Sequence, residues 1–246
     1  MIIGSEIIFL KRAVSTNTTA SEYIKSGKAR EGLVIHAAYQ SAGKGQQGNR
    51  WESEEGRNLL FSVILFPTMV NPEDQFIISG VISLGIIDFL KTIIPGCKIK
   101  WPNDIYAVDD KIAGILIENS ITGSTLTSSV AGIGLNINQE VFPDRIPNPV
   151  SLKVITGVDH DTSGCLKGLL KCLDQRYKKV ITGKRDQIMN DYTESLYRFN
   201  EWHEFRSGEG IFSGRILSVG NSGLLMVENK RGRIREFAFK EIEFIL

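Results

Sequence analysis

Between residues 98 and 138 the chain passes through four short apolar runs, at 98–101, 104–108, 111–118 and 124–138, with little more than turn residues between them. Asp109-Asp110 alone separates the second run from the third. Such runs, bounded by turn punctuation, predict β-hairpins. They do not read as the repeated strand–helix alternation of a parallel sheet. The pattern predicts an α+β fold with a mixed or mostly antiparallel sheet, in preference to a doubly wound one.

The flanks supply the helices. Residues 72–94 predict one long buried helix, with Asn71 as its cap, Pro72 as its first residue and Glu73 and Asp74 in its first turn. The stretch 76–94 carries Asp88, Lys91 and two glycines, which suits a core helix better than a membrane span. Upstream, 5–11, 32–40 and 58–66 read as strands, and 17–28 as a helix with Ser15 or Thr16 as cap. Residues 41–57 read as a glycine-rich loop. Downstream, 148–157 is irregular with a helical turn, and 161–183 and 186–197 read as helices. The character changes around 202–208. Residues 210–246 then hold four short β-rich runs punctuated by Gly and Asn. A module of roughly forty residues is marginal alone and is expected to pack on the main domain.

Composition narrows the function. The 246 residues hold 29 Lys and Arg against 28 Asp and Glu, a formal net charge of +1. That balance argues against a strongly basic nucleic-acid binder and leaves only a local patch open. Cys97, Cys165 and Cys172 have no CxxC spacing, which argues against a disulfide framework or a structural zinc site and for reduced, cytoplasmic thiols. The N-terminus has no basic segment before its apolar run, so it is a poor signal peptide.

Four segments carry chemistry. Gly43-Lys44-Gly45-Gln46-Gln47-Gly48 matches GxGxxG. The residues after it, however, fit neither the helix and acidic residue of a dinucleotide site nor the Lys-Ser/Thr of a phosphate loop. Glycines alternating with Lys44 and Arg50 still suit an anion, because bare N–H groups and cations can converge on it. Lys100-Trp101-Pro102-Asn103-Asp104 makes a rigid corner that presents two polar side chains. Lys111 opens a hydrophobic strand interrupted by Gly114, and Gly132 and Gly134 interrupt the next. Glycine weakens a strand unless something must approach the backbone. The two strands suggest a flat ligand against backbone, with β-bulges as the alternative.

In this order the segments resemble the biotin protein ligases. That family has an STN near the start of its catalytic domain, a Q-x-A-G-R-G-x-x-G loop ending in tryptophan, K-W-P-N-D, K-[IL]-A-G-I-L-[IV]-E and G-x-G-[IL]-N. Here these read Ser15-Thr16-Asn17, Gln40-Ser41-Ala42-Gly43-Lys44-Gly45 with Trp51, Lys100 to Asp104, Lys111 to Glu118, and Gly132 to Asn136. The matches span 15–138, and the ending, 239–244, also looks like the family's small C-terminal module.

The resemblance implies a mixed sheet backed by helices, of the class II synthetase and biotin ligase kind, followed by a small SH3-like β-barrel. The domains would be a ligase domain at 1–203 and a β domain at 204–246. It implies that biotin and MgATP give biotinyl-5′-AMP, and that a lysine of a biotin carboxyl carrier protein then takes the biotin. Lys111 would bridge the carboxyl and phosphoryl oxygens, with Lys44 as a second cation and Asp104 as a candidate acceptor of the incoming lysine's proton. Lys44 stands where members usually have arginine, so a point charge replaces a bidentate fork. Gln46 stands where some have a second arginine. Biotin would meet Ser15, Thr16, Asn17, Gln40, Gly43, Lys44, Lys111, Gly114, Ile115 and Gly132. The nucleotide would meet Gln46, Trp51, Asn103 and Asn136, with Trp51 stacked on adenine. The metal ligands are left open, as is a homodimer.

The alternative is a lipoate or octanoate ligase or transferase of the same fold. Its R-R-x-S-G-G-G stretch is missing here, and the one H-D pair, His160-Asp161, lies beyond the matched segments. A DNA-binding repressor is not expected, because fourteen residues before Ser15 fall far short of the ~55 that the smallest self-standing domains need. A catalytically dead binding module is disfavoured by the presence of Lys111, Asn103 and Asp104. No Met-Lys-Met marks the chain as its own acceptor, and no membrane partner is expected.

Overall fold

A computed structural model describes residues 1–245. The chain opens with β1 (Ile7–Leu10), α1 (Thr16–Lys25) and β2 (Val34–Ala37). Two very short strands follow, β3 (Gly43–Lys44) and β4 (Arg50–Trp51), and then β5 (Leu59–Leu65) and α2 (Ile77–Leu90). The predicted hairpins are β6 (Cys97–Lys100), β7 (Asp104–Ala107), β8 (Asp110–Thr122) and β9 (Thr125–Leu135). Three helices come next, α3 (Leu152–Thr156), α4 (Thr162–Ile181) and α5 (Arg185–Glu194). The chain ends in β10 (Trp202–Ser207), β11 (Gly210–Val219), β12 (Leu225–Asn229), β13 (Ile234–Phe237) and β14 (Ile242–Phe244).

Seven strands form one sheet in the order β1-β2-β5-β9-β8-β7-β6. Only β1 and β2 pair in parallel, so the sheet is mixed, as the hairpin pattern predicted. Strand alternation divides its faces. Leu59, Phe61, Val63 and Leu65 point into the main core, where α2, α4 and α5 pack. Ile64 and Val130 point the other way, into a smaller cluster beneath α1 with Ala20 and Ile35. Helix α1 covers only one end of that second face. The uncovered remainder includes Gly132, Gly134 and Gly114, and it becomes the floor of a cavity; Ser62, on the same face, is fully buried beneath Thr16 and Asn17 at the start of α1.

The small C-terminal sheet runs β13-β12-β11-β10-β14, a meander whose last strand returns beside its first. Phe205, Ile216, Leu225, Val227, Phe237 and Phe244 fill its interior. It docks on the larger unit where Trp101 Nε1 donates to the Gly223 carbonyl at 3.0 Å. Gly223, at φ +90°, is needed there, since a Cβ would stand 2.5 Å from the Phe76 ring.

Three local expectations differ. The predicted long helix is broken: Pro72–Asp74 forms a 3-10 turn, and α2 begins only at Ile77. Asn71 makes no side-chain cap bond. The i→i+3 bonds of Gln75 to Pro72 and Ile78 to Gln75 delay the α-helical register until Gly80 bonds to Phe76. The glycine-rich segment is not all loop, because Gly43 pairs with Trp51 and Lys44 with Arg50. Trp202–Ser207 adds a fifth C-terminal strand; only Phe205 in it is buried, which leaves little period-2 signal. No helix among the described residues is long and apolar enough to cross a membrane.

Candidate active site

The uncovered face of the sheet floors a cavity of about 610 Å³. Ser15 to Asn17 close one side, and the β3–β4 segment another. Asn103, Asp104 and Lys111 line the far wall, and Phe239 and Phe244 of the small sheet complete the rim. Every residue that the resemblance assigns to catalysis, biotin or the nucleotide lines this cavity except Gly43 and Asn136.

A β-bulge brings Lys111 to the cavity. On β7–β8, Ile105 pairs with Ala113 but Tyr106 pairs with Lys111, skipping Ile112. Without that extra residue, Lys111 and Gly114 would lie on opposite faces of the sheet. The bulge re-aims the lysine toward the cavity and sends Ile112 into the core. The backbone of Lys111 is held through Asn148 and Val150, its N–H donating to Asn148 at 2.7 Å and its carbonyl accepting from Val150 at 3.0 Å. Its ammonium sits 2.7 Å from Asp104 Oδ1, both side chains being about a quarter exposed. Asn103 clamps the corner before Asp104: its Nδ2 donates to the Ile115 carbonyl at 2.6 Å, and its own carbonyl accepts from the Ile115 N–H at 2.9 Å. The Trp101–Pro102 peptide at this corner is cis. Lys100 adds a third cation, its Nζ 2.9 Å from the Tyr106 hydroxyl.

The interrupting glycines have specific tenants. Gly114 and Gly134 are register partners on β8 and β9. Built Cβ atoms there would come within 2.8 Å and 2.3 Å of the Trp51 indole. The flat group resting on the backbone is therefore this tryptophan. Its Nε1, like Gln46 Oε1, is buried with no hydrogen-bond partner among the described residues. Gly132 accommodates Asn17, whose Oδ1 would lie 2.2 Å from a Cβ. Gly43 lies outside the cavity, against the Trp51 carbonyl, where a Cβ would stand 2.5 Å away. Asn136 is buried below, its Nδ2 donating to the Val150 carbonyl at 3.0 Å.

On the STN side, Gln40 Oε1 accepts from the Thr16 N–H at 2.7 Å and from its hydroxyl at 3.1 Å. Ser62, fully buried, lies 2.7 Å from Thr16 Oγ1 and 2.6 Å from Asn17 Oδ1. Glu118 Oε2 accepts from Asn17 Nδ2 at 2.7 Å. Neither Ser62 nor Glu118 carries a role that the sequence pattern alone assigns. A lone hydroxyl inside the apolar run NLLFSVILF was the available signal for Ser62.

The mixed sheet, the glycine floor and the converging lysines together define a ligase-type site for a ligand that carries an anion. The comparisons with known proteins agree with that class. The model of the biotin/lipoate A/B protein ligase family matches residues 9–136, just over half of the chain. The chain belongs to this family. It is 29% identical to the bifunctional ligase/repressor BirA of Bacillus subtilis (strain 168), over 98% of this chain and 75% of that protein. To the biotin–[acetyl-CoA-carboxylase] ligase of Paracoccus denitrificans it is 28% identical, over 89% of this chain and 93% of the relative. The solved structure of the Aquifex aeolicus biotin protein ligase in complex with biotin and ATP superposes with a TM-score of 0.80 at 27% identity, covering 97% of this chain and 98% of that one.

Proposed function

We propose that this chain activates biotin with ATP to biotinyl-5′-AMP and transfers biotin to a lysine of a biotin carboxyl carrier protein. The observation that carries the reading is the convergence of Lys111, Lys44 and the STN side chains on one cavity large enough for a two-part ligand. In the first step a biotin carboxylate oxygen attacks the α-phosphorus, and the bond to pyrophosphate breaks. Two anions must approach each other, and Lys111 neutralises the oxygens of both, where such preorganised charge is most effective. Lys44 adds a second cation. In the second step the carrier's neutral lysine amine attacks the acyl carbon, AMP leaves with the anhydride electrons, and Asp104 is the candidate acceptor of the amine's proton.

Ser15, Thr16, Asn17 and Gln40 serve the ureido ring with donors and acceptors, and Gly114, Ile115 and Gly132 line the ligand's path beside them. Gln46, Trp51 and Asn103 face the nucleotide. Gly43 supports the biotin site from outside the cavity, beside Gln40, whose Nε2 would lie 3.1 Å from a Cβ there. Asn136 reaches a base only by exchanging its bond to Val150. Among the described residues no three His, Cys, Asp or Glu side chains gather as a metal site. A magnesium ion would arrive on the triphosphate as part of the substrate, held mainly by phosphate oxygens. We assign a ligase domain and a small β domain, supported by the two separate sheets, with the boundary just before β10 at Trp202, two residues ahead of the expected 1–203 and 204–246 division.

The test is ATP–pyrophosphate exchange with purified protein. Biotin is expected to drive exchange, and lipoate and octanoate are expected to be inert. Exchange driven by lipoate or octanoate in place of biotin would reverse the substrate assignment.

A further inference from the structure

The polar side chains around the cavity floor form one continuous path that leaves the glycine-rich segment and returns to it. Lys44 Nζ lies 3.5 Å from Glu118 Oε1. The other oxygen of the same carboxylate accepts from Asn17 Nδ2 at 2.7 Å. From Asn17 the path continues through Ser62 to Thr16 and ends at Gln40. Gln40 and Lys44 lie four residues apart, on either side of the turn into β3.

We propose that Glu118 is a positioning residue that holds Lys44 until a ligand anion replaces it, while fixing the Asn17 amide with its other oxygen. This role rests on the proposed function and deepens it. The two halves of the arrangement differ in strength. Asn17 is buried and wedged against Gly132, so its amide has one orientation: Nδ2 toward Glu118, Oδ1 toward Ser62. Lys44 and Glu118 are 46% and 41% exposed, and an ion pair of that kind is weak and exchangeable. Lysine is also a compact point charge on a flexible stem, able to swing to a new partner where an arginine fork would hold two at once. A carboxylate or phosphate in the cavity therefore competes with Glu118 for Lys44, and the STN half stays in place as it does so.

The test compares biotin with its uncharged alcohol analogue, biotinol, by calorimetry. Glu118→Gln keeps an acceptor for Asn17 and removes the charge facing Lys44. Biotin is expected to bind about two- to fivefold more tightly to this variant, the scale of an exposed pair, with biotinol affinity unchanged. In a Lys44→Met background the same substitution is expected to have no effect. Glu118→Ala, which leaves the Asn17 amide only its longer bond to the Leu116 carbonyl at 3.4 Å, is expected to weaken both ligands. The proposal is overturned if Glu118→Gln leaves biotin affinity unchanged or lowers it, or shifts both ligands equally. It is also overturned if the gain persists without Lys44, since Glu118 would then act as a distant charge. Failure of the unsubstituted protein to bind either ligand is a separate result: it overturns the proposed function, and this role with it.

Discussion

The Trp51 indole occupies the space that a side chain at position 134 would need. A Cβ on Gly134 would stand 2.3 Å from its Cε2 and 2.6 Å from its Cδ2. Real atoms do not approach so closely, so the absence of a side chain there is what lets the ring lie flat on the sheet. Gly134→Ala is therefore expected to lift the indole from its seat. The emission of Trp51, taken as the difference from a Trp51→Phe variant, should shift to the red and become more accessible to acrylamide. ATP affinity should fall by roughly tenfold, within the ~1–3 kcal/mol that base–aromatic stacking contributes. Unchanged emission would show that the ring tolerates the methyl group and that the seat has another origin.

Lys111 is placed by a bulge and held against Asp104 at 2.7 Å. Lys111→Ala removes the charge that faces the developing phosphoryl and carboxyl oxygens. Biotin-dependent pyrophosphate exchange should drop by ~10²–10³, the usual effect of losing one such stabiliser. Biotin's ring contacts lie elsewhere, so its affinity should change far less. Near-normal exchange in the variant would remove Lys111 from the chemical step.

Much of the site was legible in the sequence because its residue types are costly without a purpose. Gly114, Gly132 and Gly134 weaken their strands, and that anomaly marked the floor correctly. What the glycines accommodate was not legible. Gly134 and Gly114 seat Trp51, which is 83 and 63 positions away in the chain, and Gly132 admits Asn17. Such pairings exist only once the sheet has brought distant strands together. Lys111 was found by its place in a motif, but the bulge that turns it inward leaves no mark in hydrophobic periodicity, since Ile112 and Ala113 are both apolar. The break before α2 was hidden for a related reason: Asn71, Pro72 and two acidic residues make good start signals for a 3-10 turn and an α-helix alike.

Stability at acid pH is expected to depend on Asp174, far from the cavity. Its Oδ1 accepts from the N–H groups of Ile2 and Ile3 at 2.5 Å and 3.1 Å, and Lys178 Nζ lies 2.8 Å from Oδ2. Burial alone would raise its pKa; the bond to Lys178 and those two backbone donors outweigh it and hold the carboxyl below its ordinary value. A depressed folded-state pKa contributes stability above the unfolded value and loses it as pH falls through the folded one. Asp174→Asn should therefore destabilise the protein by ~1–3 kcal/mol at pH 7, with the difference shrinking below about pH 4. Chemical denaturation of both proteins at several pH values checks this. A difference that stays constant from pH 7 to pH 3 would assign the effect to geometry alone.

Ser62 offers the sharpest test of whether the buried polar path organises the ring-binding side of the cavity. It is fully buried in the middle of β5, and its hydroxyl lies between Thr16 Oγ1 and Asn17 Oδ1. Thr16 keeps Gln40 as a partner when the hydroxyl is removed. Asn17 Oδ1 does not keep a partner of its own, and it sits in a space closed by Gly132. An unsatisfied buried acceptor costs ~1–3 kcal/mol. Relieving that cost requires displacing the amide, which strains its bond to Glu118. Ser62→Ala should thus weaken biotin binding by roughly 5- to 100-fold, given that ~1.4 kcal/mol is tenfold. ATP affinity should hold, because Trp51 and Lys111 are positioned by β4 and β8, and Asn103 by its bonds to Ile115, without Ser62. Measuring both affinities beside the melting temperature separates positioning from general damage. Equal losses for biotin and ATP, tracking a lower melting temperature, would reduce Ser62 to a packing residue.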